Sequence, residues 1–132
     1  MQQTMTAKEF LAKYPPALPH SVRRGFPRPP NSSYRNVRPK ALCADGFSIS
    51  IQASINHYCT IKDDGEIVSV ELGYPSKPIH PKGHPRNQSV YGHVAIATVE
   101  RIVARHGGII GRDPVQQAKW IEAGLEKSDE AE

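Results

Sequence analysis

Residues 37–54 read VRPKALCADGFSISIQAS, and the reading of that stretch decides the fold. From Phe47 to Ala53 apolar and polar residues alternate without a break. Successive side chains of a strand point to opposite faces, so Phe47, Ile49, Ile51 and Ala53 share one face. Ser48, Ser50 and Gln52 take the other. Asp45-Gly46 in front suits a tight reversal with positive φ, and Ala41-Leu42-Cys43 before it is a short run able to pair back. The stretch predicts a β-hairpin with one buried and one polar face.

Working outward, the next segments have the same character. Tyr58–Lys62 predicts a strand, Asp63-Asp64-Gly65 a second reversal, and Ile67–Tyr74 a strand with Val68, Val70, Leu72 and Tyr74 on one face. Ser89–Val94 is expected to be the last strand, with Gly92 inside it marking a close approach to the backbone. The period then changes to a helical one. Ile96, Val99, Ile102, Val103 and His106 make a single stripe closed by Gly107-Gly108, and Asp113-Pro114 opens a further helix carrying Val115, Ala118, Ile121 and Leu125. Upstream, Thr6-Ala7-Lys8-Glu9 is a capping box for a short helix with Ala7, Phe10, Leu11 and Tyr14, which must stop at Pro15-Pro16. The expected fold class is α+β: an antiparallel sheet of hairpins followed by C-terminal helices, with a short N-terminal helix and an extended basic arm. Three regions follow: 1–36 (helix and Pro/Arg-rich arm), 37–112 (ligand-binding core) and 113–132 (helix and acidic tail).

The 132 residues suit one domain, and twelve prolines require much loop. The formal net charge of +4 is unevenly spread. Lys8, Lys13, Arg23, Arg24, Arg28, Arg35, Arg38 and Lys40 face Glu9 alone in residues 1–40, and the remainder is net negative. Such a basic segment either meets a polyanion or serves as a solvated arm that keeps the chain soluble. Two cysteines make no disulfide framework, and no apolar run is long enough for a signal peptide or membrane span, so a cytosolic protein with reduced thiols is expected.

Several constellations bear on function. Arg101 and Arg105, one helical turn apart, form a fork for phosphate oxygens, or simply stabilise a helix C-terminus at roughly 0.3–1 kcal/mol each. Tyr74, Tyr91 and Phe47 are able to stack on bases or to pack in the core, the latter favoured for Phe47. Arg86-Asn87-Gln88-Ser89 suits a ribose or base edge, or is a loop in water. The loop 75–88, with four prolines and two histidines, is long enough to suspect function. His57 and Cys59 with Cys43, or His80 and His84, invite a metal, but there is no Cys-x-x-Cys pair and the His80–His84 segment is broken by proline. The cysteines read as small buried hydrophobes, and neither a metal nor a cofactor is expected. No Walker-type or dinucleotide-binding glycine pattern is present.

The succession VRPKALCADGFSISIQAS, HYC, SVELGYPS, NQSVYGHV and a helix ending in RHGG resembles the first described Thoeris anti-defence family of small phage proteins, over roughly residues 34–108. The N-terminal arm and the C-terminal helix lie outside the resemblance. What it implies is a binding protein and not an enzyme. Members act as sponges for cyclic ADP-ribose isomers made by Toll/interleukin-receptor-domain enzymes, and hold cyclic di- or trinucleotides of the CBASS defence at a separate site. The implied setting is the host bacterial cytoplasm, with a homo-oligomer (a dimer or trimer of dimers). Carried onto this sequence, Tyr74 would stack on adenine and Asn87 would contact the ligand, with Gln52 and Arg86 beside it. Arg101 and Arg105 would grasp phosphates near a symmetry axis. Two rival readings stand beside this one: a nucleic-acid-binding protein using the basic arm Arg23–Lys40, and a phosphodiesterase acting on the same signals.

Overall fold

The computed structural model describes residues 3–15, 37–54 and 57–122. Much of the expected basic arm, including Arg23, Arg24, Arg28 and Arg35, and the acidic tail therefore lie outside the described residues. Within them the elements are α1 (Ala7–Lys13), β1 (Ala41–Cys43), β2 (Ser48–Gln52), β3 (Thr60–Ile61), β4 (Ile67–Gly73), β5 (Val90–Ala95), α2 (Ile96–Arg105), β6 (Ile109–Arg112) and α3 (Pro114–Glu122). The strands form one antiparallel sheet in the order β3-β4-β2-β1-β6, with β5 also pairing with β4. The fold is α+β.

The hairpin forms as its pattern requires. Ala41 faces Ile49 and Leu42 faces Ser48, and Gly46 turns the chain at φ +93°. The Gly46 amide donates to the Cys43 carbonyl (3.0 Å), and the Phe47 amide to the Asp45 carboxylate (2.9 Å). Phe47, Ile49, Ile51 and Ala53 are all buried, and Val70, Leu72, Val94, Val99, Val103 and Ile109 close over them. Cys43 is buried among them and Cys59 is half-buried, both as free thiols. Burial pushes the Cys43 thiol up to about 11, with the Asp45 charge adding to the effect.

The first helix carries the expected capping box: the Glu9 amide donates to the Thr6 hydroxyl (3.1 Å) and the Thr6 amide to the Glu9 carboxylate (3.0 Å). Ala7, Phe10 and Leu11 sit in the same core as the sheet, and Met5 bridges to Ile109. This helix is thus part of the core body and not an appendage of the arm.

Three readings need correction. Ser89–Val94 is not the last strand, because Ile109–Arg112 pairs with β1. That four-residue run has no alternation to read, and its strand character comes from Ala41–Cys43 lying alongside. The stripe predicted on β4 holds for Val70 and Leu72, but Val68 and Tyr74 are exposed. Tyr74 has already left the strand, with φ +49°, so alternation no longer governs it. The strand expected over Tyr58–Lys62 shrinks to Thr60–Ile61. The helix expected after Asp113-Pro114 forms as α3, capped by Asp113, whose carboxylate accepts from the Val115 amide (3.1 Å); none of its residues is buried. Val115 and Ala118 are exposed, and Leu125 lies outside the described residues.

Gly92 marks a close approach, as its position in a strand suggested: a Cβ there would lie 3.0 Å from Cβ of Tyr58. The same crossing explains His93, which holds φ +51° at a bulge opposite Val70–Leu72 and donates its amide to the Tyr58 carbonyl (2.9 Å).

The far end of α2 docks on the hairpin turn. His106 stacks on Phe47 with ring centroids 3.9 Å apart, and its Nδ1 bonds the Asp45 carboxylate at 2.7 Å. Hydrogen bonding from the Phe47 amide and from His106 holds the Asp45 carboxyl below the usual range, helped by the charges of His106 and Lys77. A carboxyl whose folded pKa is depressed adds stability above its unfolded value, about pH 4, and loses it as pH falls through the folded value. Urea midpoints of wild type and Asp45→Asn should therefore differ at neutral pH and converge under acid; a constant gap across pH would refute the contribution.

Candidate functional site

The loop from Pro75 to Ser89 has little regular structure, yet it is tied down at several points. At its start the Ser76 amide donates to the Ser48 carbonyl (2.9 Å) and the Ser48 amide to the Ser76 hydroxyl (2.8 Å). Midway, Pro81 is fully buried and Ile79 packs on the core. The His80 ring bonds the His84 carbonyl (3.0 Å), while the His84 amide donates to the Pro81 carbonyl (3.0 Å). At its end the Tyr91 hydroxyl accepts from the Gln88 amide (3.1 Å) and donates to the Ile79 carbonyl (3.5 Å). One buried phenol thus joins the two walls of the loop.

These ties leave a cleft on each side of the loop. The first, of about 490 Å³, is lined by Tyr74, Ser76, Lys77, Asn87, Gln88 and Ser89, with Pro75, Pro78, Ile79 and Tyr91 as its apolar part. Tyr74 is 62 % exposed, so a flat ring face is open to a ligand. Tyr74 and Asn87 hold φ of +49° and +61°, and they are two of the three non-glycine residues with positive φ among the described residues. Asn tolerates that region well, whereas for a bulky residue such as Tyr it costs on the order of 1–3 kcal/mol. Backbone strain of this kind concentrates where side chains are held for binding.

The second cleft, of about 210 Å³, is lined by His80, Lys82, Thr98, Arg101 and Arg105 over a floor of Pro81 and Ile102. Arg101 and Arg105 project from the outer face of α2, whose inner face buries Val99, Ile102 and Val103. Arg101 donates to the Thr98 hydroxyl at 3.3 Å. Three cationic side chains around this small cleft suit phosphate oxygens.

A third cavity of about 630 Å³ lies between α1 and α2 and contains Glu9 and Glu100. Both carboxylates are committed to capping α1: Glu9 accepts from the Thr6 amide, and Glu100 from the amides of Ala7 and Lys8. It is the largest of the three and the least equipped to recognise a ligand.

The residues singled out in the sequence divide accordingly. Tyr74 and Asn87 come together in the first cleft, and Arg101 and Arg105 in the second. Arg86 is exposed and does not line either one. Gln52 is 3 % exposed, its amide oxygen accepting from the Arg38 amide (2.7 Å) and its nitrogen donating to the Arg38 carbonyl (2.9 Å) and the Ser50 hydroxyl (2.8 Å). Those bonds tie Gln52 to the backbone and away from both clefts. Phe47 lies in the core, and Tyr91 is 3 % exposed as a strut at the back of the first cleft.

Arg38 carries a surprise of its own. Counted in the basic arm, it is only 5 % exposed and donates from Nε to the Leu11 carbonyl (3.3 Å) and from a terminal nitrogen to the Ala53 carbonyl (2.6 Å). Burial lowers its pKa to about 10, with the neighbouring Cys59 opposing the shift. Its charge is used to join α1 to the end of β2, not to attract a polyanion. Nearby, Ser54 Oγ lies 2.6 Å from His57 Nδ1, and burial holds His57 below its usual pKa. Among the described residues no group of three His, Cys, Asp or Glu side chains is placed to hold a metal, and no helix is long and apolar enough to cross a membrane.

Sequence reasoning did not single out Lys77, Lys82, Ser76 or Thr98. The loop containing the two lysines was flagged by its length and prolines, but nothing in its pattern said which way each side chain would face. No family model, curated protein or solved structure matches the chain.

The Tyr91 hydroxyl yields a direct test. Tyr91→Phe should cost on the order of 1 kcal/mol in urea unfolding, the scale of one hydrogen bond. It should also speed hydrogen exchange at the Gln88 amide by roughly fivefold, the equivalent of that energy; unaltered exchange there would mean that the hydroxyl does not hold the loop.

Proposed function

We propose that this protein binds and sequesters cyclic nucleotide signals without cleaving them: a phage anti-defence factor taking up cyclic ADP-ribose isomers, and cyclic di- or trinucleotides at a separate site. One observation carries the reading. Two clefts of different chemistry flank a single anchored loop, one offering an open aromatic ring with amide and hydroxyl groups, the other a cluster of cations. The resemblance in sequence pairs Tyr74 with Asn87 and Arg101 with Arg105, and the same pairs are neighbours in the fold. Stacking on an aromatic ring contributes about 1–3 kcal/mol per base, and paired guanidiniums grip phosphate through charge-assisted hydrogen bonds.

Binding without cleavage fits the lining of the first cleft. Its side chains include no carboxylate, histidine or cysteine to serve as general base or nucleophile. In the second cleft the His80 ring is engaged with the His84 carbonyl. Against the nucleic-acid reading stands the burial of Arg38, which removes one cation from the proposed arm. On this proposal the protein works in the host bacterial cytoplasm as a homo-oligomer. The uncovered apolar positions Val115 and Ala118 of α3 offer surface for a second copy, and walls from a second protomer enclose a ligand more fully than one short chain does.

Calorimetry against cyclic ADP-ribose isomers and cyclic oligonucleotides tests the proposal, with the ligand recovered by heat denaturation and checked for integrity. Tyr74→Ala should weaken the ADP-ribose isomer by roughly fivefold to a hundredfold, the worth of one stacked base. Arg101→Ala with Arg105→Ala should abolish binding of the cyclic oligonucleotides and spare the ADP-ribose isomer. Recovery of cleaved ligand, or salt-dependent binding to DNA with no response to any cyclic nucleotide, would overturn the reading.

Light scattering should give several times the protomer mass. A clean monomer would rule out ligand sites built between protomers.

A further inference from the structure

A nucleotide in the first cleft brings negative charge, and the cleft must answer it. Arg86 was the cation expected beside Tyr74 and Asn87, but it does not line the cavity, and Arg38, the cation joined to Gln52, is buried and bonded to backbone carbonyls. Lys82, Arg101 and Arg105 line the other cleft. Among the described residues lining the first cleft, Lys77 is the one cation.

We infer that Lys77 is the phosphate-reading residue of the first cleft, which therefore takes a nucleotide bearing one phosphate or a pyrophosphate, its base stacked on Tyr74. Lys77 has this role only if the cleft is the nucleotide site proposed above.

The placement of Lys77 follows from its neighbours. The reciprocal bonds between Ser48 and Ser76 fix the backbone immediately before it against the start of β2. Pro78 after it fixes φ and narrows the backbone freedom of Lys77 itself. The ammonium remains on a flexible four-carbon stem, exposed, with three donors to offer. The Ser76 hydroxyl accepts from the Ser48 amide and keeps its own hydrogen free to donate beside Lys77. Ser89, Asn87 and Gln88 supply neutral donors and acceptors for a ribose or base edge.

In the free protein the ammonium already has an anionic neighbour. Asp45, at the tip of the hairpin turn, has its carboxyl lowered first by the Phe47 amide, then by His106, with the Lys77 charge among the smaller causes. The carboxylate is well served by its first two partners, so a phosphate is able to draw Lys77 away without stranding it. One ammonium with no opposing carboxylate in the lining discriminates by charge: a neutral nucleoside gains only the stack, a nucleotide gains the stack and a charge-assisted bond. More highly charged ligands match the three cations of the second cleft instead.

The test is calorimetry on the full chain with adenosine, AMP and cyclic ADP-ribose, comparing wild type with Lys77→Gln, Lys77→Arg and Tyr74→Ala. Lys77→Gln should weaken the phosphate-bearing ligands by roughly tenfold or more, the scale of one charge-assisted hydrogen bond. Adenosine should change less than about twofold, and Lys77→Arg should restore most of the loss, since the charge is what matters. If the phosphate-bearing ligands bind Lys77→Gln as tightly as wild type while Tyr74→Ala weakens them, the assignment of Lys77 is wrong and the cleft remains the site. If no member of the panel binds wild type, the nucleotide reading of the cleft fails and the role of Lys77 with it. Equal weakening of adenosine and AMP by Lys77→Gln would also overturn the assignment, because the lysine would then be supporting the cleft's shape.

Discussion

The burial of one face of β2 governs everything else in this structure. Phe47, Ile49, Ile51 and Ala53 cannot be withdrawn from water unless β1 and β4 flank the strand, α1 packs on it and the buried stripe of α2 completes the core. Once they do, both ends of the strand acquire fixed neighbours. At the Phe47 end, His106 stacks on the ring and holds the turn through Asp45, which settles the direction of α2 and hence where Arg101 and Arg105 project. At the other end Gln52 and Arg38 seal the polar side with hydrogen bonds to backbone.

The loop after β4 exploits that rigid frame. It leaves the sheet at Tyr74, in a backbone conformation unfavourable for a tyrosine, and returns through Asn87, in one that asparagine accepts readily. Between the two, anchoring is polar and local: Ser48 with Ser76, and Tyr91 with Ile79 and Gln88. Loops usually carry function because they are free to vary; this one is also held, so its side chains face their clefts before a ligand arrives.

Charge is apportioned with equal economy. The Arg38 cation is inside with its guanidinium donating to backbone carbonyls, and the carboxylates Glu9 and Glu100 are taken up by the first turn of α1. Among the described residues lining the two clefts, the cations are Lys77 on one side of the loop and Lys82, Arg101 and Arg105 on the other. A basic composition therefore says little by itself about which basic groups a partner meets.

The sequence alone determined the hairpin of residues 41–53, the capping box of α1, the stripe of α2 and the close approach at Gly92, because each is a local pattern whose physics spans a few residues. It also brought Tyr74, Asn87, Arg101 and Arg105 forward, through aromatic, amide and guanidinium chemistry and the likeness of their surrounding motifs. Only the tertiary structure decided the rest. Ile109–Arg112 became a strand because β1, more than sixty residues earlier, lies beside it. Gln52 went inside because its side-chain amide satisfies the Arg38 backbone, and Arg38 because its guanidinium satisfies the Leu11 and Ala53 carbonyls of distant elements. The lysines of the proline-rich loop were assigned to opposite clefts by anchors at Ser48, Tyr91 and Pro81, and no periodicity along the chain encodes contacts of that range.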